Sequence, residues 1–383
     1  MPVEGRRRPA WAEVDLAALA RNTATLAALV APSRVCAVVK ADGYGHGART
    51  VAAPLLAAGA DLLGVALVDE GIELREDGID APILLLAEAP ATALDDAIAA
   101  SLTLTVASLR GAHEVAAAAA RTGAPAPVHV KLDTGMHRMG VAPGELAAVL
   151  ELLARARVAV GGVWTHFPVA DGDDEASRAF TLGQLDTFEG AVGAVGASLA
   201  DDVVLHAANT AGALWVPRSR LGLVRLGLGL YGYLPHPSMR SVLDDAGAAP
   251  LEPVLTIKAR VSAVRELPAG ARPSYGRRKA LAAPARVATV PVGYADGYPR
   301  AMLDGDAEVL VRGLRRRLAG VVTMDQLLVD CGDDPVEVGD EVVLLGRQGD
   351  EAVTADEWAR ALGTISWEVL CGIKPRIPKL PVD

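Results

Sequence analysis

The sequence predicts a parallel α/β barrel followed by a mostly β domain. Two observations predict the barrel. Between residues 12 and 240, short apolar runs alternate with Ala-rich helical segments, and polar residues gather at the ends of the apolar runs. A third observation marks the second domain. From Leu251 onward the chain turns rich in β-branched residues punctuated by Gly and Asp.

The barrel strands are expected in this order. RVCAVVK ends at Lys40, DLLGVAL surrounds Leu63, PILLLAE surrounds Leu84, and LTLTVAS surrounds Leu104. VHVKLD ends at Asp133, VGGVWTHF at Phe167, VVLHAAN at Asn209, and LVRLG at Gly227. Runs that are apolar throughout suit strands buried on both faces, as in a parallel sheet. Helical spacing of leucines follows Asp15, and similar segments start near Arg49, Asp69, Ser108, Gly144 and Ala176. About eight βα units fit a (β/α)8 TIM barrel; a doubly wound open sheet is the other way to arrange them.

The stretch from Pro235 to Pro250 reads as a linker, which divides the chain into a barrel over 12–240 and a β-rich domain over 241–383 together with 1–11. TIKARVSAVREL, ARVATVPVGYADG, AEVLVRG, AGVVTMDQLLVDCG and VEVGDEVVLLGRQG are its expected strands. TADEWARALG reads as one short helix, and AWAEVD near Trp11 as a strand that can join this domain.

Composition narrows the function. With 51% hydrophobic residues in 383, the chain can bury a large core. Asp and Glu (47) outnumber Lys and Arg (37), for a formal charge of −10, which argues against general binding to nucleic acid or anionic membrane. The arginines at Arg6 to Arg8 read as a solvated tail. No apolar stretch follows them before Glu13 and Asp15, so no secretory leader is expected. No run is long and apolar enough for a membrane helix. Three cysteines, Cys36, Cys331 and Cys371, lack metal-ligand spacing and suggest a cytoplasmic protein without disulfides or a metal site.

The chemistry of a TIM barrel lies at the C-terminal ends of its strands. Lys40, Lys131, Asp133, His166, His206, Asn209, Thr210, Arg225 and Gly227 all fall at or just after such ends. A lysine after an apolar strand, followed by DGYGHG, can form a Schiff base with an aldehyde, while Gly43, Gly45 and Gly47 let backbone approach a phosphate. The same hexapeptide is compatible with a Gly-rich turn bearing a surface lysine. The loops NTAG and RLGLGLYG sit where barrels often bind phosphate. Arg138 suits a substrate carboxylate, or an ion pair with Asp133.

Taken in order, AVVKADGYGHG, KLDTGMHRMG, WTHF, HAANT, VRLGLGLYG, PSYG, VGYADGYPR and TMDQ resemble the alanine racemase family, a group of pyridoxal-phosphate enzymes. The resemblance spans nearly the whole chain. It implies interconversion of L- and D-alanine by two bases, supplying D-alanine for peptidoglycan. Lys40 would bind pyridoxal 5'-phosphate and act as one base. Tyr275 would be the other, supplied by the partner subunit of a homodimer. Tyr44, Asn209, Thr210, Gly227, Leu228 and Tyr231 would line the cofactor site, with Arg225 facing the pyridine nitrogen and His166 behind it. Arg138 and the backbone of Met324 would hold the substrate carboxylate. Lys131 matches a position often carbamylated in the family.

Four positions depart from the family pattern. Pro375 replaces a frequent Tyr, Val321 a frequent Arg, Thr323 a frequent Cys, and His137 a frequent Gly. None is a base. They leave serine or another small amino acid as an alternative substrate. A non-catalytic pyridoxal-phosphate carrier and a decarboxylase of the same fold type are the remaining readings. The PSYG and TMDQ segments argue against the carrier, and Arg225 against the decarboxylase.

Overall fold

A computed structural model describes residues 8–383. Arg6 and Arg7 of the arginine run lie outside them. The chain forms two compact units. One comprises residues Ala18–Tyr44 and Ala48–Glu252; the other comprises the described residues up to Ala17, Gly45–Gly47 and Pro253–Asp383.

The first strand, β1 (Ala10–Asp15), belongs to the second unit. The eight that follow build the first unit: β2 (Arg34–Val38), β3 (Leu62–Val65), β4 (Ile83–Leu85), β5 (Leu104–Val106), β6 (Val128–Lys131), β7 (Val160–Trp164), β8 (Val204–His206) and β9 (Leu223–Leu226). All pair in parallel, in the orders β4-β3-β2-β9 and β5-β6-β7-β8. Two further sets of backbone bonds close the ring. Leu85 N–H donates to Thr103 O (2.9 Å) and Thr103 N–H to Ile83 O (2.8 Å), joining β4 to β5. Gly222 N–H donates to Leu205 O and Arg225 N–H to Ala208 O (both 3.0 Å), joining β8 to β9. The result is a TIM barrel, and the open sheet is set aside.

Helices separate the strands. Leu109–Thr122 shows why the sequence folds this way: Ser108 Oγ accepts the Gly111 N–H (2.8 Å) at its start, and Gly123, at φ 65°, ends it. Two short helices, Leu94–Ala99 and Thr210–Trp215, lack a long enough periodic stretch to be read from sequence. The stretch read as a linker holds a 3-10 turn and the helix Arg240–Asp245, anchored by buried Met239 and Leu243.

The second unit adds β10 (Leu255–Arg260), β11 (Ala263–Leu267), β12 (Ala285–Val290), β13 (Glu308–Val311), β14 (Leu314–Arg317), β15 (Leu327–Asp330), β16 (Glu341–Gln348), β17 (Glu351–Val353) and β18 (Lys379–Val382). One sheet runs β14-β13-β16-β10-β1-β18 with β17 on β16; the other runs β11-β12-β15. Trp11, Ile257, Leu310, Leu344 and Trp358 are among its buried core residues. The expected short helix spans Ala355–Leu362, capped by Thr354 Oγ1 on the Glu357 N–H (3.2 Å). AWAEVD pairs antiparallel with β10 and parallel with β18. Sequence reasoning missed β18: four residues including Pro381 carry no strand period, and the edge position is what tolerates the proline.

Candidate active site

In the barrel unit, the chain leaves β2 through a strained turn. Ala41, Asp42, Gly43, Tyr44 and Gly45 have φ of 53°, 54°, 62°, 52° and 81°. Left-handed backbone costs an L-residue roughly 1–2 kcal/mol, so only the two glycines adopt it freely. Other groups hold the turn. Gly43 N–H donates to Val39 O (2.8 Å), and Asp42 Oδ1 accepts the Ala48 N–H (2.9 Å). Glu70 Oε1 accepts the Ala41 N–H (2.6 Å), while its Oε2 accepts from Ala66 and Leu67 (2.8 and 3.1 Å). Lys40, at the head of this turn, is half-buried. The Tyr44 ring, at its foot, is buried and stacks on Tyr231 at 5.1 Å and 29°. Tyr231 Oη donates to Val38 O (3.0 Å), tying the stack back to β2.

Tyr44 also meets the loop after β9. A Cβ on Gly227 would stand 2.5 Å from Tyr44 Oη, and one on Gly229 would stand 2.9 Å from Thr210 Cγ2. Glycine is therefore required for this approach. Thr210 Oγ1 accepts the Gly227 N–H (3.1 Å), which leaves its own O–H available to donate. Leu228 is buried beside it. Asn209 has a different task. Its Oδ1 accepts the Gly212 N–H (2.9 Å) and its Nδ2 donates to Phe167 O (3.3 Å), so it caps a helix.

Arg225 occupies the middle of the cluster and is 3% exposed. Nη1 donates to His206 Nδ1 (2.8 Å); Nη2 donates to Thr165 O (2.7 Å) and Ala207 O (2.8 Å) and reaches His166 Nδ1 (3.3 Å). The guanidinium lies 4.6 Å over the Trp164 ring. Among the described residues no carboxylate pairs with it. Burial lowers its pKa to about 10, so it stays charged at neutral pH. Burial first, and the Arg225 charge second, hold His166 and His206 neutral, well below the usual histidine value.

Lys131, at the end of β6, is 1% exposed, and its Nζ has no hydrogen-bond partner. Nζ also lies 4.9 Å from the centroid of the Trp164 ring. Burial, then the charges of Arg138 and Arg225, lower its pKa to about 8. Arg138 is exposed. Asp133 does not pair with it. That carboxylate accepts the N–H groups of Gly135 and His137 (both 3.0 Å) and pairs with the His137 ring (3.3 Å).

The β unit carries the other expected residues on loops. Tyr275 opens a 3-10 turn and is 74% exposed; Met324 is 54% exposed. Ser274 Oγ donates to Val321 O (2.6 Å), tying the two loops together. Ala295 N–H donates to Met324 O (3.0 Å). Val321 is buried, the Thr323 hydroxyl donates to Gln326 O (2.8 Å), and Pro375 is exposed.

Sequence reasoning missed Glu70, Trp164 and His129, and left His206 without a role. Glu70 had one usable signal, an acidic residue in the first turn of helix Val68–Glu76. The others lie inside strands, where nothing in the sequence distinguishes a polar barrel lining from a polar core. The barrel site as a whole offers two hydroxyls beside glycine backbone and a buried cation, which suits an anionic planar ligand. Among the described residues, no group of three His, Cys, Asp or Glu side chains could hold a metal.

Two family profiles match the chain: the alanine racemase N-terminal domain over residues 14–235 and the alanine racemase C-terminal domain over 254–381. The chain is 43% identical to an alanine racemase of Symbiobacterium thermophilum over 381 residues, covering 99% of this chain and 98% of that one. It is 40% identical to an alanine racemase of Thermobifida fusca, covering 97% of each. Among solved structures, an alanine racemase from a D-cycloserine-producing Streptomyces lavendulae aligns with a TM-score of 0.91 at 36% identity, covering 99% of this chain and 98% of that one. The Bacillus anthracis alanine racemase with bound L-Ala-P aligns with a TM-score of 0.91 at 33% identity, covering 99% and 96%. With both domains matched along nearly its full length, the chain belongs to the alanine racemase family.

Proposed function

We propose that the protein interconverts L-alanine and D-alanine, using pyridoxal 5'-phosphate and one base from each of two subunits. The observation that carries this reading is the buried Arg225 cation held only by neutral acceptors beside the Thr210–Gly227 pair. The residues present fit the cofactor. Glycine at 227 and 229 lets the loop pack against Tyr44 and Thr210, where a Cβ would meet Tyr44 Oη and Thr210 Cγ2, and Thr210 retains an O–H to donate to a phosphate. Tyr44 would add a second hydroxyl, with Asn209 and Tyr231 fixing the loops around it.

When bound, pyridoxal phosphate would link to an amine and draw electron density away from the Cα–H bond of the substrate. The chain's residues do the rest. Lys40 holds the cofactor and moves the proton on one face of Cα. Tyr275 of a second subunit moves it on the other, so a proton lost from one face is replaced on the opposite one. Arg225 would face the ring nitrogen and, being charged itself, would disfavour a proton there, which would keep the ring a weaker electron sink. His166 stays neutral behind it. Arg138 and the Met324 backbone orient the substrate carboxylate. Lys131, buried without a partner, would be carbamylated and so present an anion toward Arg138.

The exposure of Tyr275 and Met324 supports a homodimer in which those loops are covered. The Thr323 hydroxyl already donates to Gln326 O and accepts the Gln326 N–H, so its proton is not available to a serine side chain. The product D-alanine would serve peptidoglycan synthesis in the cytoplasm. Among the described residues no helix is long and apolar enough to cross a membrane.

The test follows the circular dichroism of L-alanine and, separately, L-serine in D₂O, with purified protein and pyridoxal phosphate. Decay of the alanine signal with deuterium entering at Cα is expected. A faster serine reaction moves the substrate assignment, and no decay of either removes it.

A further inference from the structure

Arg225 is bonded to His206, and His206 is bonded in turn to His129: Nε2 of the former lies 2.9 Å from Nδ1 of the latter. The directions of both bonds follow from the first. A guanidinium only donates, so His206 Nδ1 must be the acceptor. A neutral imidazole has one proton, so that proton is on His206 Nε2, and it must be donated to His129 Nδ1. His129 then carries its own proton on Nε2. Both rings are buried, and burial followed by the Arg225 charge keeps both neutral, with His129 lowered to about 4.

The barrel is built to permit this contact. His129 is on β6 and His206 on β8, with β7 between them. The β7 residue in register with His129 is Gly162. A Cβ there would lie 2.6 Å from His129 Nδ1, so any side chain would block the path across β7. Two residues on, Trp164 stacks on His206 at 5.6 Å and 7° and fixes its plane. Glycine at one level and tryptophan at the next leave His206 one orientation.

We infer that His129, reaching across Gly162, is a positioning residue that accepts the His206 Nε2–H and so holds the ring where its Nδ1 accepts from Arg225, steadying the orientation of Arg225. This rests on the reading above in one respect, that Arg225 faces the cofactor ring. Without an acceptor at position 129, the His206 Nε2–H is buried and unbonded. That uncompensated donor favours a shift of the ring toward another acceptor, which loosens the bond to Arg225 and lets the tautomers mix.

The experiment uses ¹⁵N-histidine-labelled protein, first without cofactor, to read the protonated nitrogen of each ring. Wild type is expected to show neutral His206 with its proton on Nε2. His129→Asn keeps an acceptor close to the Nδ1 position and should preserve that signal, whereas His129→Leu and Gly162→Ala should mix the tautomers. With cofactor, His129→Leu should shift the visible absorbance and lower kcat about tenfold at nearly constant KM, with His129→Asn restoring most of it. A His206 proton on Nδ1 in wild type overturns the inference, as does an unchanged His206 signal in His129→Leu. If His129→Leu fails to fold, the wild-type tautomer and the Asn variant still decide it. Tautomers as expected with equal kcat in all variants would remove the positioning role alone. Absence of racemisation in wild type would instead sink the functional reading and leave the tautomer result standing.

Discussion

The two units hold their expected site residues in opposite ways. In the barrel, Arg225, His206 and Lys131 are buried, and the first two are hydrogen-bonded to groups of their own unit. In the β unit, Tyr275 and Met324 stand on exposed loops tied down through the Ser274 hydroxyl and the Met324 carbonyl. The difference teaches where each part of the chemistry is completed. The barrel builds its polar cluster from one chain. The β unit presents groups whose use depends on what covers them.

This contrast can be broken or sharpened experimentally. The largest effect is expected at Lys40. Lys40→Ala should remove the absorbance of bound cofactor and reduce racemisation by at least about 10³-fold; full activity in that variant would end the assignment. Tyr275→Phe should separate the units, binding cofactor normally while losing about 10²- to 10⁴-fold in turnover, since the role proposed for its hydroxyl is proton transfer alone. A wild-type rate would take Tyr275 out of the mechanism. Mixing Lys40→Ala with Tyr275→Phe subunits should recover up to about a quarter of wild-type activity, because random pairing leaves some sites with both bases. Verified mixed dimers with no recovery would count against sites shared between chains.

The smallest effect concerns Lys131. Its pKa of about 8 lies below the ordinary 10.5. Between those values the unfolded chain binds more protons than the folded one, so this group makes stability rise with pH from 8 to 10.5 and is destabilising below 8. The full difference is on the order of 3 kcal/mol. That rise belongs to a free ammonium; a carbamylated Lys131 has none to titrate, so denaturant unfolding of wild type minus Lys131→Met is expected to stay flat across the window. A difference that rises from pH 8 to 10.5 would mean that Lys131 is a buried ammonium and would overturn its carbamylation.

The barrel was legible because its strands are apolar on both faces and its helices carry their own stops, as Ser108 and Gly123 do. The strand-end positions of Lys40, Thr210 and Arg225 were legible for the same reason. The interior polar contacts were not. His129 and Gly162 become neighbours only through the register of β6 on β7, and no spacing within either strand encodes that register. Glu70 was invisible because its carboxylate serves backbone groups of a turn twenty-nine positions away along the chain. Asn209 was read as part of the cofactor site, and its side-chain bonds in this structure are those of a helix cap.

The left-handed turn from Ala41 to Gly45 has a consequence for how this protein can vary. An ordinary loop absorbs an inserted residue by bulging outward. A tight left-handed turn cannot, because each added L-residue would have to join the unfavourable conformation or reverse the handedness. The segment therefore acts as a gauge block between Lys40 and the Tyr44 ring, setting their spacing by backbone geometry alone. Sequence drift can change what surrounds it, but not how many residues it contains.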